Sequence, residues 1–177
     1  MIATAAFVPL TALTLPAQRT PTALSAAQLR TLEAFIDRLI PRDELGPGAV
    51  DAGAQVYINR VLAGPNSGEK NAFVQGLEAV DAYAKRVHGL PLAELPAETR
   101  DQVLTAAETE NSQFFNRALR LTLEGMFGDP FYAGNRNFAG WDLIRYPGPR
   151  PAVDAELQRM DVYPASYRRS PHGTQYK

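Results

Sequence analysis

Apolar residues recur at spacings of three and four through most of the first 127 positions, which is the period of an amphipathic α-helix. The first such stretch follows Ser25-Ala26-Ala27-Gln28, a pattern typical of an N-terminal capping box. Pro41 should end this helix, because the residue before a proline is disfavoured in the helical region. Its predicted apolar face comprises Leu29, Leu32, Phe35, Ile36, Leu39 and Ile40.

The same spacing predicts four more helices, over residues 49–62, 69–87, about 96–110 and 111–127. The last is apolar over most of its surface, so we expect it to be the most buried. The second and third are expected to bury Val50, Ala54, Tyr57, Val61, Phe73, Leu77, Val80, Tyr83 and Val87. No alternating apolar and polar run with hairpin turns is found. The sequence therefore predicts an all-α fold, a compact bundle of about five helices.

A different pattern covers residues 125–148, which hold five of the 13 glycines and six of the 16 aromatic residues. Glycine and proline at these densities exclude long regular structure. A long irregular loop is costly to order and is typical of functional or partner-stabilised segments. We interpret this Gly/aromatic loop as a docking element. The residues predicted to make structural and partner contacts are Phe131, Tyr132, Asn135, Arg136, Phe138 and Trp141.

Two further segments flank the predicted helical domain of residues 24–148. Residues 1–23 are mostly apolar and uncharged before Arg19, and they resemble the apolar region of an export signal. A disordered N-terminal segment is the alternative interpretation. Residues 149–177 contain four prolines, scattered tyrosines and Arg168-Arg169, and they are expected to form an extended tail, with two helical turns at most near residues 153–160.

The composition excludes several kinds of site and argues against one class of partner. The chain has 177 residues, enough for one domain with a substantial core, and its net charge of -1 gives no support for a nucleic-acid partner. It contains no cysteine, which excludes disulfides, thiolate zinc sites and covalent c-type haem. Residues 136–177 carry seven Lys/Arg against four Asp/Glu. A basic tail on an acidic neighbour and a solvated tail both fit this asymmetry.

The residues that could carry chemistry are few. His88 and His172 lack metal-ligand spacing, so a surface role is favoured for both. Asp129 and Asp142 could form an acid–base pair in principle. Asp before proline is, however, a common turn former, and Asp142 can cap a short element. No nucleotide-binding glycine motif or nucleophile elbow occurs. We therefore assign no catalytic, cofactor or metal-binding residue to this chain, and an interface role explains the aromatic loop better.

Three stretches carry a resemblance to a known family. They are residues 24–43, ending in Asp-Arg-Leu-Ile-Pro-Arg-Asp; the pair Gly48-Ala49; and Gly-Met-Phe-Gly-Asp-Pro-Phe-Tyr-Ala-Gly-Asn-Arg-Asn from 125 with Gly140-Trp141. Together they resemble the gluconate 2-dehydrogenase subunit 3 family over residues 24–148. The family pattern more often has glycine where Ala133 stands.

The resemblance implies a small subunit of a periplasmic flavoprotein dehydrogenase. Its partner would be a large subunit of the glucose–methanol–choline oxidoreductase type, which binds FAD and oxidises a sugar, sugar acid or glycoside. A cytochrome c often accepts the electrons in such complexes. The small subunit would bind no flavin or haem itself. It would stabilise the large subunit and accompany it across the membrane.

Two alternatives remain open from the sequence. One is a free-standing enzyme that uses Asp129, Asp142 and Arg136 around a pocket under the loop. The other is a chaperone that binds the large subunit transiently and is absent from the mature complex. No membrane-spanning helix is expected under any of these interpretations, because the apolar N-terminal stretch is short and contains Pro9 and Pro16.

Overall fold

A computed structural model of the protein describes residues 22–149, together with the single positions 155 and 159. Six α-helices follow one another in this part of the chain. They are α1 (Ala26–Leu39), α2 (Ala54–Ala63), α3 (Lys70–His88), α4 (Ala97–Glu110), α5 (Ser112–Phe127) and α6 (Ala139–Leu143). No strand occurs among the described residues. The prediction of an all-α bundle is confirmed.

Helix α1 begins as the sequence predicts. Ser25 accepts a hydrogen bond from the backbone N–H of Gln28, and the Gln28 side chain accepts one from the backbone of Ser25, which completes the capping box. Leu32, Phe35 and Ile36 are fully buried on its inner face. The helix ends before Pro41, as expected from the restriction on the preceding residue.

Helix α2 is shorter than predicted, since it begins at Ala54 and not at residue 49. Gly53, its N-cap, adopts the left-handed conformation (φ 78°), which interrupts the helical path of the chain. Residues 49–53 form turns instead. The apolar spacing continues through this break, because Ala49 and Ala52 are also fully buried. Periodicity alone therefore placed the boundary too early.

The core is formed by the inner faces of helices α1 to α5. Phe114 of α5 contacts both Phe35 and Phe73, with ring centroids 5.5 and 5.3 Å apart. Gly76 permits this approach, because a Cβ at that position would lie 2.2 Å from the Phe114 ring. Helix α5 packs against each of the other five helices. It nevertheless exposes Leu123, so it is amphipathic and its apolar surface is narrower than predicted.

One predicted core residue of α3 is wrong, and the predictions for the two terminal segments fall almost entirely outside the described residues. Val87, predicted to lie on the buried face of α3, is exposed near the end of that helix, and Ala84 is buried instead. The interpretations of residues 1–21 and of nearly all the tail concern positions outside the described residues. Among the residues that are described, no helix has both the length and the apolar character needed to cross a membrane.

Candidate docking site

The Gly/aromatic loop leaves α5 and folds back over the end of that helix. The last carbonyls of a helix have no partner within it. Here the backbone N–H of Asn135 donates to the carbonyl of Gly125 at 2.7 Å. The Asn135 amide nitrogen donates to Gly128 O at 2.9 Å, and the Trp141 indole N–H donates to Phe127 O at 2.8 Å. We call residues 134–141 the capping segment, because they satisfy these carbonyls.

Two glycines allow the capping segment to approach α5 this closely. A Cβ at Gly134 would lie 2.1 Å from the carbonyl oxygen of Gly125. A Cβ at Gly140 would lie 2.0 Å from that of Met126. Both distances are well inside van der Waals contact with backbone atoms, which cannot rotate away. Glycine is therefore required at both positions by packing.

Asn135 is the centre of the capping segment. Its side chain has no solvent exposure and adds a second bond, in which its Oδ1 accepts from the backbone N–H of Gly140 at 2.9 Å. Its backbone is left-handed (φ 45°), a conformation that asparagine tolerates better than most residues. The next residue, Arg136, donates its backbone N–H to Ala52 O at 2.8 Å. The segment thus joins the end of α5 to the start of α2.

Left-handed backbone is unusually frequent here. Four other non-glycine residues have positive φ in or beside the capping segment: Ala133, Asn137, Phe138 and Arg145. Strained conformations of this kind persist only where the surrounding contacts determine them, and they cluster at functional sites. The position at which the resembling family more often has glycine, Ala133, is one of them, with φ 75°.

Outside the capping segment, the loop presents apolar side chains to solvent. The exposed fractions are 40% for Phe131, 46% for Tyr132, 55% for Ile144 and 40% for Tyr146. We call these four residues the exposed rim. Phe131 and Tyr132 meet edge to face at 5.2 Å between ring centroids, and Tyr146 meets the buried Trp141 ring in the same way at 5.1 Å. One rim residue, Tyr146, is therefore in direct ring contact with the capping segment.

Polar side chains of α2 and α5 lie beside the rim. The Arg60 guanidinium donates to Phe131 O at 3.5 Å. The Tyr57 hydroxyl donates to Glu124 Oε2 at 2.9 Å. Burial raises the pKa of Tyr57 to about 12, with the bond to the Glu124 carboxylate and its charge adding to the effect. Tyr57 is therefore neutral throughout the physiological range and acts as a donor.

The predicted site residues divide into two groups. Asn135 and Trp141 lie in the interior, where they hold the loop on α5. Phe131, Tyr132 and Arg136 are exposed, and Phe138 is partly buried with its ring 5.7 Å from that of Trp141. Sequence reasoning did not single out Ile144 or Tyr146. The signal that could have indicated them is a cluster of apolar residues within the glycine-rich segment, namely Leu143, Ile144 and Tyr146.

The carboxylates proposed for catalysis lie in ordinary structural positions. Asp129 Oδ1 accepts the backbone N–H of Phe131 at 2.9 Å and so caps the short 3₁₀ turn Pro130–Tyr132. Asp142 is exposed in the first turn of α6. The described residues contain no group of three or more potential metal ligands. A cleft of about 800 Å³ opens elsewhere, between α3 and α5, where Arg117 pairs with Glu69.

A family model described as gluconate 2-dehydrogenase subunit 3 matches residues 26–148. The match begins at the first residue of α1 and ends after the rim, so it includes the whole bundle and the loop. The chain belongs to the gluconate 2-dehydrogenase subunit 3 family. The family is that of a subunit, which implies a partner in a complex. Comparison with curated proteins and with solved structures gives no match.

Proposed function

We propose that this chain is the non-catalytic small subunit of a periplasmic FAD-dependent dehydrogenase that oxidises a sugar, sugar acid or glycoside. In this proposal it stabilises the flavoprotein large subunit and accompanies it during export. FAD would be held by that partner, of the glucose–methanol–choline oxidoreductase type, and a cytochrome c would accept the electrons. The observation that carries the proposal is the exposed rim on either side of a capping segment that is anchored by buried Asn135 and Trp141.

The rim has the composition of an interface core. Aromatic residues and arginine are enriched at such cores, and a few of them carry most of the binding energy. Phe131 and Tyr132 supply two adjacent rings, with Arg60 and Arg136 exposed nearby. Contiguous exposed apolar side chains on a soluble domain favour a binding surface over a neutral one.

Preorganisation supports the same conclusion. Ordering a flexible loop on binding would reduce affinity. Here the hydrogen bonds from Asn135 and Trp141 to the end of α5 fix the backbone in the free chain. Most of the ordering cost is therefore met during folding, and binding would add little further loss of entropy.

Co-expression with the flavoprotein subunit tests the proposal. We expect the wild-type chain to co-purify with a yellow partner, and the double variant Phe131→Ser/Tyr132→Ser to lose it while keeping its helical circular dichroism. Val87→Ser/Leu90→Ser is the matched control, because these residues are equally exposed near the end of α3, at 52% and 44%. It should retain the partner.

Two results would contradict the proposal. If the wild-type chain carries dehydrogenase activity without a flavoprotein, a free-standing enzyme is the better description. If it binds the large subunit during maturation but is absent from the active complex, it is a transient chaperone. If the rim variant retains the partner, the exposed rim is not the surface that binds it.

A further inference from the structure

The turn that follows α1 presents an exposed leucine at its tip. Leu45 is 83% exposed, more than any other large apolar residue in the described part of the chain. It lies within the Pro-Arg-Asp-Glu-Leu-Gly stretch of residues 41–46, part of which carries the family resemblance. Single exposed leucines are common on surfaces. This one stands out because the turn that carries it is held rigidly.

Hydrogen bonds fix the turn from within. The carboxylate of Asp43 accepts the backbone N–H groups of Leu45 and Gly46 at 2.9 and 3.3 Å. The backbones of Asp43 and Gly46 also exchange two hydrogen bonds, each 3.2 Å long. The tip thus has a single defined conformation, with the Leu45 side chain directed to solvent.

The base of the turn is closed as firmly. Arg42 pairs with Asp51 at 2.5 Å, and Asp51 also accepts the backbone N–H of Gly48 at 2.9 Å. These two hydrogen bonds lower the pKa of the Asp51 carboxyl, and the bond from Arg42 has the larger effect. Gly48 allows the two arms to meet, because a Cβ there would lie 2.6 Å from the Arg42 backbone nitrogen.

The turn packs against the end of α6, next to one part of the exposed rim. A Cβ built on Gly46 would lie 3.1 Å from Leu143 Cδ1, so the turn packs directly against the end of α6. Leu143 is followed by Ile144 of the rim, and Tyr146 contacts the capping segment through Trp141. The turn that carries Leu45 therefore packs against the residue that immediately precedes Ile144 of the rim.

We propose that Leu45 is a second anchor for the flavoprotein large subunit and inserts into an apolar pocket of that partner. The inference rests on the proposed function and extends its surface beyond the loop. Glu44 is exposed beside Leu45 and forms no ion pair with another described residue. The pocket should accordingly carry a basic group at its edge, which Glu44 meets.

Titration of the purified large subunit with the full chain tests the inference. Leu45→Ser should weaken binding about tenfold or more, the size expected for an anchor residue. Glu44→Gln should weaken it about threefold at low salt and less at high salt, as for a charge at the edge of an interface. Leu90→Ser removes the same side chain from another exposed position, 44% exposed, and should bind as the wild type does. All three variants should keep the wild-type unfolding temperature, because none of these side chains is buried.

The outcomes separate the inference from the proposed function. Wild-type affinity of Leu45→Ser, with affinity lost in Phe131→Ser/Tyr132→Ser, overturns the anchor and leaves the function intact. A lower unfolding temperature for Leu45→Ser assigns Leu45 to the fold and also overturns it. So does a wild-type homodimer that Leu45→Ser dissociates, because the occupant is then a second copy. Absence of binding by the wild-type chain overturns the function as well.

Discussion

The capping segment and the exposed rim come from the same 24-residue stretch, yet they have opposite relations to the rest of the chain. The capping segment directs its polar atoms at the backbone of α5 and buries Asn135 and Trp141. The rim directs apolar side chains to solvent from the same turns. The difference shows that a glycine- and aromatic-rich loop can be part of the core on one side and a surface on the other.

Because the two regions have different contacts, substitutions in them should affect stability and partner binding separately. Substitutions in the capping segment should lower the free energy of unfolding, because they disturb buried hydrogen bonds or backbone packing. Substitutions in the rim should leave it nearly unchanged and affect only association. The following predictions test the first half of that statement, and the rim variants above test the second.

Gly140→Ala should have the largest effect. Its Cβ would lie 2.0 Å from Met126 O, so the capping segment must move off α5. We expect the free energy of unfolding to fall by about 3 kcal/mol, measured by urea denaturation. Gly68→Ala is the control, since a Cβ there meets no atom within 4 Å. Equal stability of the two variants would mean that the segment does not pack on α5 as described.

Asn135→Ala removes both side-chain hydrogen bonds and leaves the part-buried Gly128 carbonyl and the buried Gly140 N–H without these partners. A loss of about 2 kcal/mol is expected from the two unsatisfied groups. Asn137→Ala is closely matched, because Asn137 has a similar left-handed backbone (φ 54°) but an exposed side chain. If both variants lose the same stability, backbone strain and not hydrogen bonding is responsible.

Trp141→Phe keeps an aromatic ring in place but removes the indole N–H that donates to Phe127 O. We expect a loss of about 1 kcal/mol in the thermal or urea unfolding of the chain, followed by circular dichroism. Tyr146→Phe, on the rim, should change stability by less than about 0.5 kcal/mol. A larger loss of stability in Tyr146→Phe than in Trp141→Phe would contradict the assignment of Trp141 to the stabilising capping segment and of Tyr146 to the binding rim.

Ala133→Gly should stabilise the chain slightly. Left-handed backbone costs a residue with a Cβ about 1 kcal/mol, and φ at Ala133 is 75°. Glycine removes this cost. It also makes the unfolded chain more flexible, and the added entropy of that state cancels about half of the gain in stability. The expected net increase is about 0.5 kcal/mol. Ala139→Gly, at a helical φ of -53°, should have the opposite sign.

The sequence was sufficient for what depends on local pattern. The capping box at Ser25, the stop at Pro41 and the extent of α4 and α5 follow from spacing and capping chemistry, and the structure reproduces them.

What local pattern could not give is contact between distant positions. The start of α2 depends on Gly53 turning left-handed where Arg136 reaches Ala52, 84 residues apart in sequence. Four of the six predicted contact residues are aromatic, and only the fold separates buried Trp141 from exposed Phe131. The location of the Leu45 turn beside α6 depends on the packing of Gly46 against Leu143, which no motif encodes.

The bond between Arg136 and Ala52 has a consequence for synthesis of the chain. A ribosome that has translated only as far as α5 carries a nascent protein whose last helical turn is uncapped and whose α2 lacks its closing contact. The domain becomes complete only after residues 134–141 have emerged from the ribosome. A partner that recognises the finished loop would therefore meet no competent binding surface on incomplete chains.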